Sequence, residues 1–441
     1  MACFIYEWAM SMLMVNSTMK VLLVGERYWP EVGAAPFRLE NLAEGLSQNN
    51  CKVDVLTALP NYPKGRFYEG YNSCFSRFEH RHGINIFRYW IYATVSKRPM
   101  DRIANMFSFA ITIWTFALKK RRIRNYDVVI IQTPTLVVAA SAMIIFKWIY
   151  RRTCILNVSD IWPLTALDMG AITKKGFSWR FLSLLEHFLY REANGIMGQS
   201  EEILNHVQQE ILSGKGLWGH NAEKDTDDVL SSNLWTLNSR LFLYRNIVHN
   251  VSIEFHRKKN CPMKIIYSGM LGVAQNILDI VKNVSFKHLG VELHIYGGGK
   301  QYNDLLEYTM SHPDSNVVIH GQVSKEEMNK IMSQMDVSLV PLAARIRGAF
   351  PSKIYDSIAN GLPVLFCGAG EGARFVEVER IGLVAIPDDY ENIESRIVEF
   401  RNMSIQTYMD LSEHCKIVCR HKLNFEHQLE SCREFLNLIC R

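Results

Sequence analysis

The chain has 441 residues, 48% of them hydrophobic, which exceeds what one core usually supports and fits two domains of about 200 residues each. Its formal charge of +5 is mild, so no nucleic-acid partner is expected. Ten scattered cysteines include no CxxC pair, which argues against a disulfide framework and a structural zinc site and points to a reducing cytoplasm.

In chain order, Met1 to Thr18 is apolar but lacks a basic leader, so a secretory signal is not indicated. Residues 1–18 read as an extension ahead of a start at Met19. Strand and helix then alternate: a strand Lys20 to Gly25, a long loop, a helix from about Phe37 to Ser47 and a strand Lys52 to Thr57. Strands Asp127 to Gln132 and Cys154 to Val158, a helix Phe181 to Ala193 and a strand Gly195 to Gly198 follow. Such alternation implies a parallel sheet with helices on both faces. The loop Val24 to Pro36 leaves the carboxyl end of a strand, and Gly33 lets its backbone come close, so it can line a substrate cleft or simply connect.

Between Arg81 and Asn125 stand ten basic residues and one acid, Asp101, a block that seeks an anionic partner. The apolar segment Ile103 to Leu118 within it, followed by Lys119 to Arg122, suits an anchor lying on an anionic membrane surface and is too short to span it. A helix docked on the domain core is the alternative. The run Val128 to Tyr150 is interrupted by Gln132, Thr133, Pro134, Thr135 and Lys147, which fits a strand, a loop and a helix better than a membrane span. Asp160, at the end of a strand, can orient a sugar or act as a base, although a lone loop Asp is more often a cap or turn residue. Residues 214–239 form a polar insertion, and Asp225-Thr226-Asp227 within it has no strand before it, so it reads as a solvated run and no metal is expected.

A second alternating series starts with the strand Met263 to Gly269 and a helix near Ile277 to Val284. It continues with the strand Glu292 to Tyr296, a helix Tyr302 to Ser311, the strand Asn316 to Ile319, a helix Lys325 to Gln334 and the strand Val337 to Pro341. Gly269 and Gly272 open one phosphate-compatible loop and Gly297 to Gly299 another; neither completes GxGxxG, which disfavours a nicotinamide dehydrogenase. From Phe350 to Leu365 the chain reads as a helix N-capped by Ser352 and stopped by Gly361 and Pro363. Its first turn, with Lys353, aims positive charge at one point, and Asp356, on the Ser352 face, can accept from sugar hydroxyls. That combination suits a nucleotide-sugar; a capped amphipathic helix with solvated Lys and Asp is the plainer reading. From Ser404 the chain is helical and is expected to return to the first domain, giving domains 19–245, 246–403 and a tail 404–441.

Five ordered motifs resemble glycosyltransferase family 4 from Met19 onward. They are Tyr28-Trp29-Pro30-Glu31-Val32-Gly33, Leu59-Pro60-Asn61-Tyr62-Pro63, Asp160-Ile161-Trp162-Pro163, Tyr267-Ser268-Gly269 through Gly272 and Gln275, and Pro351-Ser352-Lys353 through Val364. The resemblance is greatest to bacterial transferases of the fucosamine and colanic-acid type, and it implies an α/β chain of GT-B fold, two Rossmann-like domains facing across a cleft. It further implies retaining transfer, without metal or other cofactor, from a nucleotide-sugar, UDP-linked and possibly an N-acetylated deoxyhexosamine. The acceptor would be a polyprenyl-diphosphate-linked saccharide in O-antigen or capsule synthesis, at the cytoplasmic face of the inner membrane. By the same resemblance the donor meets Gly269, Gly272, Arg347, Ser352, Lys353, Asp356 and Glu371, and the acceptor lies on the side of Gly33 and Asn61. Asp356 matches the ribose-side acid of the family's two-glutamate motif, while Gly348 stands where the first glutamate would be, making Glu371 the nearest substitute. Lys353, with Arg345 or Arg347, would carry the diphosphate, and Asp160 takes the place of a histidine near the transferred sugar. A sugar-nucleotide epimerase of the same fold, or a non-catalytic membrane-bound partner, are the alternatives.

Overall fold

The computed structural model describes residues 18–72, 74–96, 98–118, 123–213, 237–247, 259–272, 275–342 and 347–440. The chain divides into two compact units, one running to Tyr244 and rejoined by Glu426–Arg441, the other Arg245–Phe425. The first contains β1 (Met19–Val24), α1 (Ala34–Gln48), β2 (Cys51–Ala58), β3 (Ser76–Arg81), β4 (Ile84–Tyr89), α2 (Pro99–Ala117), β5 (Val128–Gln132) and α3 (Leu136–Met143). After these come β6 (Thr153–Val158), α4 (Leu164–Asp168), α5 (Phe177–Glu192), β7 (Gly195–Gly198), α6 (Glu201–Leu212) and β8 (Leu241–Leu243). The strands of the described residues form one sheet in the order β3-β4-β2-β1-β5-β6-β7-β8, parallel except for β3 against β4. β1 and β5 are continuous apolar runs because central parallel strands are covered on both faces, and Val21 to Val24 and Val128 to Ile131 are indeed fully buried. The hairpin β3–β4 was not among the expected strands: β3 is a largely exposed, charged edge strand and carries little apolar signature.

α2 starts earlier than expected, with Pro99 at its first turn. Phe109, Ile113 and Phe116 on its inner face are wholly buried, each contributing roughly 1.5–3 kcal/mol to docking it on the core. The docked-helix alternative therefore holds for that face. The outer face remains apolar and exposed. The run from Val128 folds as strand, loop and helix, ending in a π-helical turn, Ile144–Ile149.

The second unit holds β9 (Met263–Ser268), α7 (Ile277–Asn283), β10 (Val291–Tyr296), α8 (Tyr302–Ser311), β11 (Val317–Gly321), α9 (Lys325–Met332) and β12 (Val337–Pro341). It continues through α10 (Lys353–Ala359), β13 (Val364–Cys367), α11 (Glu371–Val378), β14 (Gly382–Ala385), α12 (Tyr390–Asn402) and α13 (Ile405–Lys422). Its sheet runs β11-β10-β9-β12-β13-β14, all parallel, the strand order of a doubly wound nucleotide-binding fold. Of the tail expected to return to the first domain, α13 stays with the second: Tyr408 Oη donates to Asp336 O at 2.9 Å and Ser412 Oγ to Gly361 O at 2.6 Å. α14 (Phe425–Cys440) joins the first unit, where Phe435 stacks on Phe242 with centroids 5.1 Å apart and Leu429 lies over Gly45. Residues 1–17, Lys119 to Arg122, residues 214–236 with Asp225, Thr226 and Asp227, and Arg345 lie outside the described residues.

Candidate active site

In a doubly wound sheet, ligands bind beyond the carboxyl ends of the strands where the order reverses, which in the second unit is beyond β9 and β12. The glycine loops leaving β9 and β10 pack there backbone on backbone: Gly269 N donates to Tyr296 O at 2.9 Å and Leu271 N to Gly298 O at 3.0 Å. Only glycine fits at 297, since a Cβ there would fall 1.8 Å from Gly269 O. A Cβ on Gly269 would fall 2.3 Å from Lys353 Cε, so the Lys353 stem crosses the bare backbone of Gly269. Lys353 Nζ donates to Tyr267 Oη at 3.1 Å and lies 4.5 Å from the centroid of the same ring. Burial pulls the Lys353 amine down to about 8, a fall that Asp356, in the same helical turn, partly opposes. The structure thus brings Gly269, Lys353 and Asp356 together, with Gly272 ending the same loop as Gly269. Lys353 is half-buried rather than solvated.

Three expectations change. Ser352 sits at the start of α10 in a helical conformation, φ −59° and ψ −20°, and its side chain caps nothing. The N–H groups of Ile354 and Tyr355 turn back onto Pro351 O and Ser352 O, so this helix start offers an anion fewer free donors than expected and more rests on the Lys353 ammonium. Glu371 is not open to a sugar: its buried carboxylate pairs with Arg245 Nη1 at 2.7 Å. The Arg245 guanidinium also lies 4.7 Å from the Phe350 ring, which stacks on Tyr355, so the pair braces the turn that leads into Lys353. Arg347 is exposed on that turn. Gly348 is buried with φ +74°, a left-handed position that a glutamate would occupy only under strain.

In the first unit, Gly33 precedes α1, and Tyr62 Cε1 lies 3.5 Å from where its Cβ would be, so the two loops assigned to the acceptor side do meet. Glu31 joins them, its buried carboxylate accepting from Asn61 N at 2.7 Å and Tyr62 N at 2.8 Å. The Asn61 side chain turns inward to Leu59 O, a turn-building contact. Beneath them, buried Arg88 donates to Glu79 Oε2 at 2.7 Å and to Trp29 O. Asp160 follows β6 and caps no helix, since Pro163 precedes α4. Burial pushes its carboxyl above the usual range, with Arg38 of α1 opposing. Glu26, half-buried and raised by the same desolvation, hydrogen-bonds Thr135 beyond β5. Sequence reasoning assigned no roles to Glu26, Glu31, Arg38, Arg245 and Tyr267. An acid set among aromatics, as in Tyr28-Trp29-Pro30-Glu31, and an Arg closing the apolar run Leu241 to Tyr244 were the available signals.

Two family models match the chain: one described as "Glycosyl transferase 4-like domain" over residues 33–212, and one described as "Glycosyl transferases group 1" over residues 263–402. A curated relative, the putative colanic acid biosynthesis glycosyl transferase WcaI of Escherichia coli K12, is 27% identical over 157 residues, 35% of this chain and 38% of the relative. Among solved structures, sucrose-phosphate synthase from Thermosynechococcus elongatus superposes with a TM-score of 0.67 at 13% identity, covering 95% of this chain and 98% of that one. Anabaena Alr3699/HepE in complex with UDP superposes with a TM-score of 0.60 at 13% identity, covering 95% and 100%. The structural likenesses extend over both units and identify the GT-B fold.

Proposed function

Since the chain belongs to the family 4 type of glycosyltransferases, with the GT-B fold, we propose that it moves a sugar from a UDP-sugar to a lipid-linked saccharide in surface-polysaccharide synthesis, with retention and without a metal. The observation that carries the reading is Lys353 Nζ held over Gly269 beyond β9, where a leaving diphosphate needs its charge met. The UDP bound by HepE and the colanic-acid role given for WcaI support the donor and the pathway class. The finer donor, an N-acetylated deoxyhexosamine, and an O-antigen or capsule product belong to the same proposal. Release of UDP from a panel of UDP-sugars in EDTA, with a polyprenyl-diphosphate saccharide present, tests it. Activity that requires added manganese refutes the metal-free part, and no turnover of any donor refutes the whole.

Asp356 is assigned to the donor ribose, a contact made alike in ground and transition states, so its loss belongs in affinity rather than turnover. Asp356→Ala should weaken UDP binding about tenfold, the worth of one charged hydrogen bond, with Asp356→Glu closer to wild type. Calorimetric titration measures this; equal affinities remove Asp356 from the donor site.

We also place the protein on the cytoplasmic face of the inner membrane as a peripheral enzyme. No helix among the described residues is long and apolar enough to cross a membrane. The support is the outer face of α2, where Met100, Ile103, Ile111, Trp114 and Leu118 are exposed at helical spacing, continued by Phe107, Phe181 and Phe177 in a stacked aromatic ladder. The basic block is smaller than the ten residues suggested, because Arg81 pairs with Glu40 and Arg88 is buried. Apolar insertion consequently carries more of the binding, with each basic residue near an anionic surface adding about 1 kcal/mol. Replacing Ile103, Ile111 and Leu118 by Ser should release the protein from anionic vesicles, and replacing Lys119 to Arg122 should erase its preference over neutral ones. Sedimentation with both vesicle types decides; no binding to either by the unaltered protein refutes the placement.

A further inference from the structure

We propose that Tyr267 is a positioning residue for the donor diphosphate, acting through Lys353; this rests on the nucleotide-sugar reading above. Tyr267 closes β9 from within the sheet and is wholly buried, and burial holds its phenol far above the ordinary range, so it remains a neutral hydroxyl. A phenol has one proton to give. Tyr267 gives it to Met270 O at 2.5 Å, which leaves its oxygen an acceptor for Lys353 Nζ at 3.1 Å. The loop after β9 is thereby tied to the lysine that overlies it. A lysine stem is flexible and its ammonium is a freely rotating point charge. Here three contacts restrain it: the Gly269 backbone beneath Cε, the Tyr267 ring and the Tyr267 hydroxyl. With one N–H committed to Tyr267, the remaining donors of the ammonium stay available to an anion beside the glycine loops. Among the described residues, the titratable groups that bear on Nζ are Tyr267 from β9 and Asp356 from α10. Tyr267 acts without touching the donor.

Tyr267→Phe keeps the ring and deletes the acceptor. It should lower UDP affinity about tenfold, the effect of one hydrogen bond to a charged group. In a Lys353→Ala background the same change should cost almost nothing, because the lysine it positions is gone. The loss should also grow as pH rises from 6 to 9, since without the hydroxyl the ammonium is less well held against deprotonation. A merely structural hydroxyl would alter the melting temperature while leaving the double-mutant cycle additive and the pH profile unmoved. Additive losses, or wild-type affinity in Tyr267→Phe, overturn the positioning role alone; unaltered protein that binds no nucleoside diphosphate overturns the donor reading as well. The crystal structure of the unaltered protein with UDP is a measurement independent of any variant's stability. Nζ within about 3 Å of both Tyr267 Oη and a diphosphate oxygen is expected, and a lysine swung off Tyr267 onto the phosphate refutes the proposal.

Discussion

Lys353→Ala should lower turnover on the order of a hundredfold, about 2.7 kcal/mol of barrier, the scale of one preorganised electrostatic donor removed from a developing anion. The Michaelis constant should move much less, because the ammonium meets more charge on the departing diphosphate than on the bound donor. Steady-state kinetics with the cognate donor measure both, and turnover within a few-fold of wild type would mean the phosphate lies elsewhere. The depressed pKa of Lys353 makes folding and nucleotide binding depend on pH in opposite directions. Lys353 titrates near 8 in the folded protein against 10.5 unfolded, so between those values the unfolded chain holds a proton that the folded one lacks. Folding stability from this group therefore rises with pH across that window, and its burial weighs against folding below it. Donor binding runs the opposite way. A diphosphate favours the ammonium, so UDP affinity should be full below pH 8 and fall above it.

Arg245→Ala is expected to destabilise the second unit by roughly 3–5 kcal/mol, because it removes the cation paired with the buried Glu371 carboxylate. The melting transition of that unit should fall on the order of 10 °C for a body of its size. Replacing both partners, as Arg245→Met with Glu371→Leu, should recover most of the loss, since neither charge then needs the other. Differential scanning calorimetry of the two variants is the test; a single variant that melts with the wild type would show the pair to be ornamental. Turnover should fall along with stability, because the Phe350 ring under Arg245 leads directly into Lys353.

Much of the fold was legible because its central strands are unbroken apolar runs and its turns carry Gly and Pro where the chain reverses. The sequence of β9, α7, β10 and α8 could be read almost to the residue. What escaped was set by tertiary context. The strand Ser76–Arg81 survives as an edge, stabilised by pairing with Ile84–Tyr89, and has no periodic apolar pattern to betray it. At the donor side Lys353, Gly269 and Asp356 were legible as chemistry, whereas the partner that holds Lys353 is a tyrosine 86 residues earlier. Glu371 looked available because its partner stands 126 residues away in the chain. Gly348 illustrates the reverse: the sequence shows a missing acid, and only its left-handed backbone explains why the acid cannot simply be restored.

α14 gives the molecule an order of assembly. Leu429, Cys432 and Leu436 are wholly buried in the first unit, yet the ribosome makes them only after all of the second. The second unit is one uninterrupted stretch and can complete itself while synthesis continues. The first must wait, with the surface beside Gly45 and Gly195 uncovered, until residues 426–441 emerge. A premature stop at Glu426 would leave the second unit whole and the earlier-made unit unfinished, so damage late in the message would be felt in a portion translated long before it.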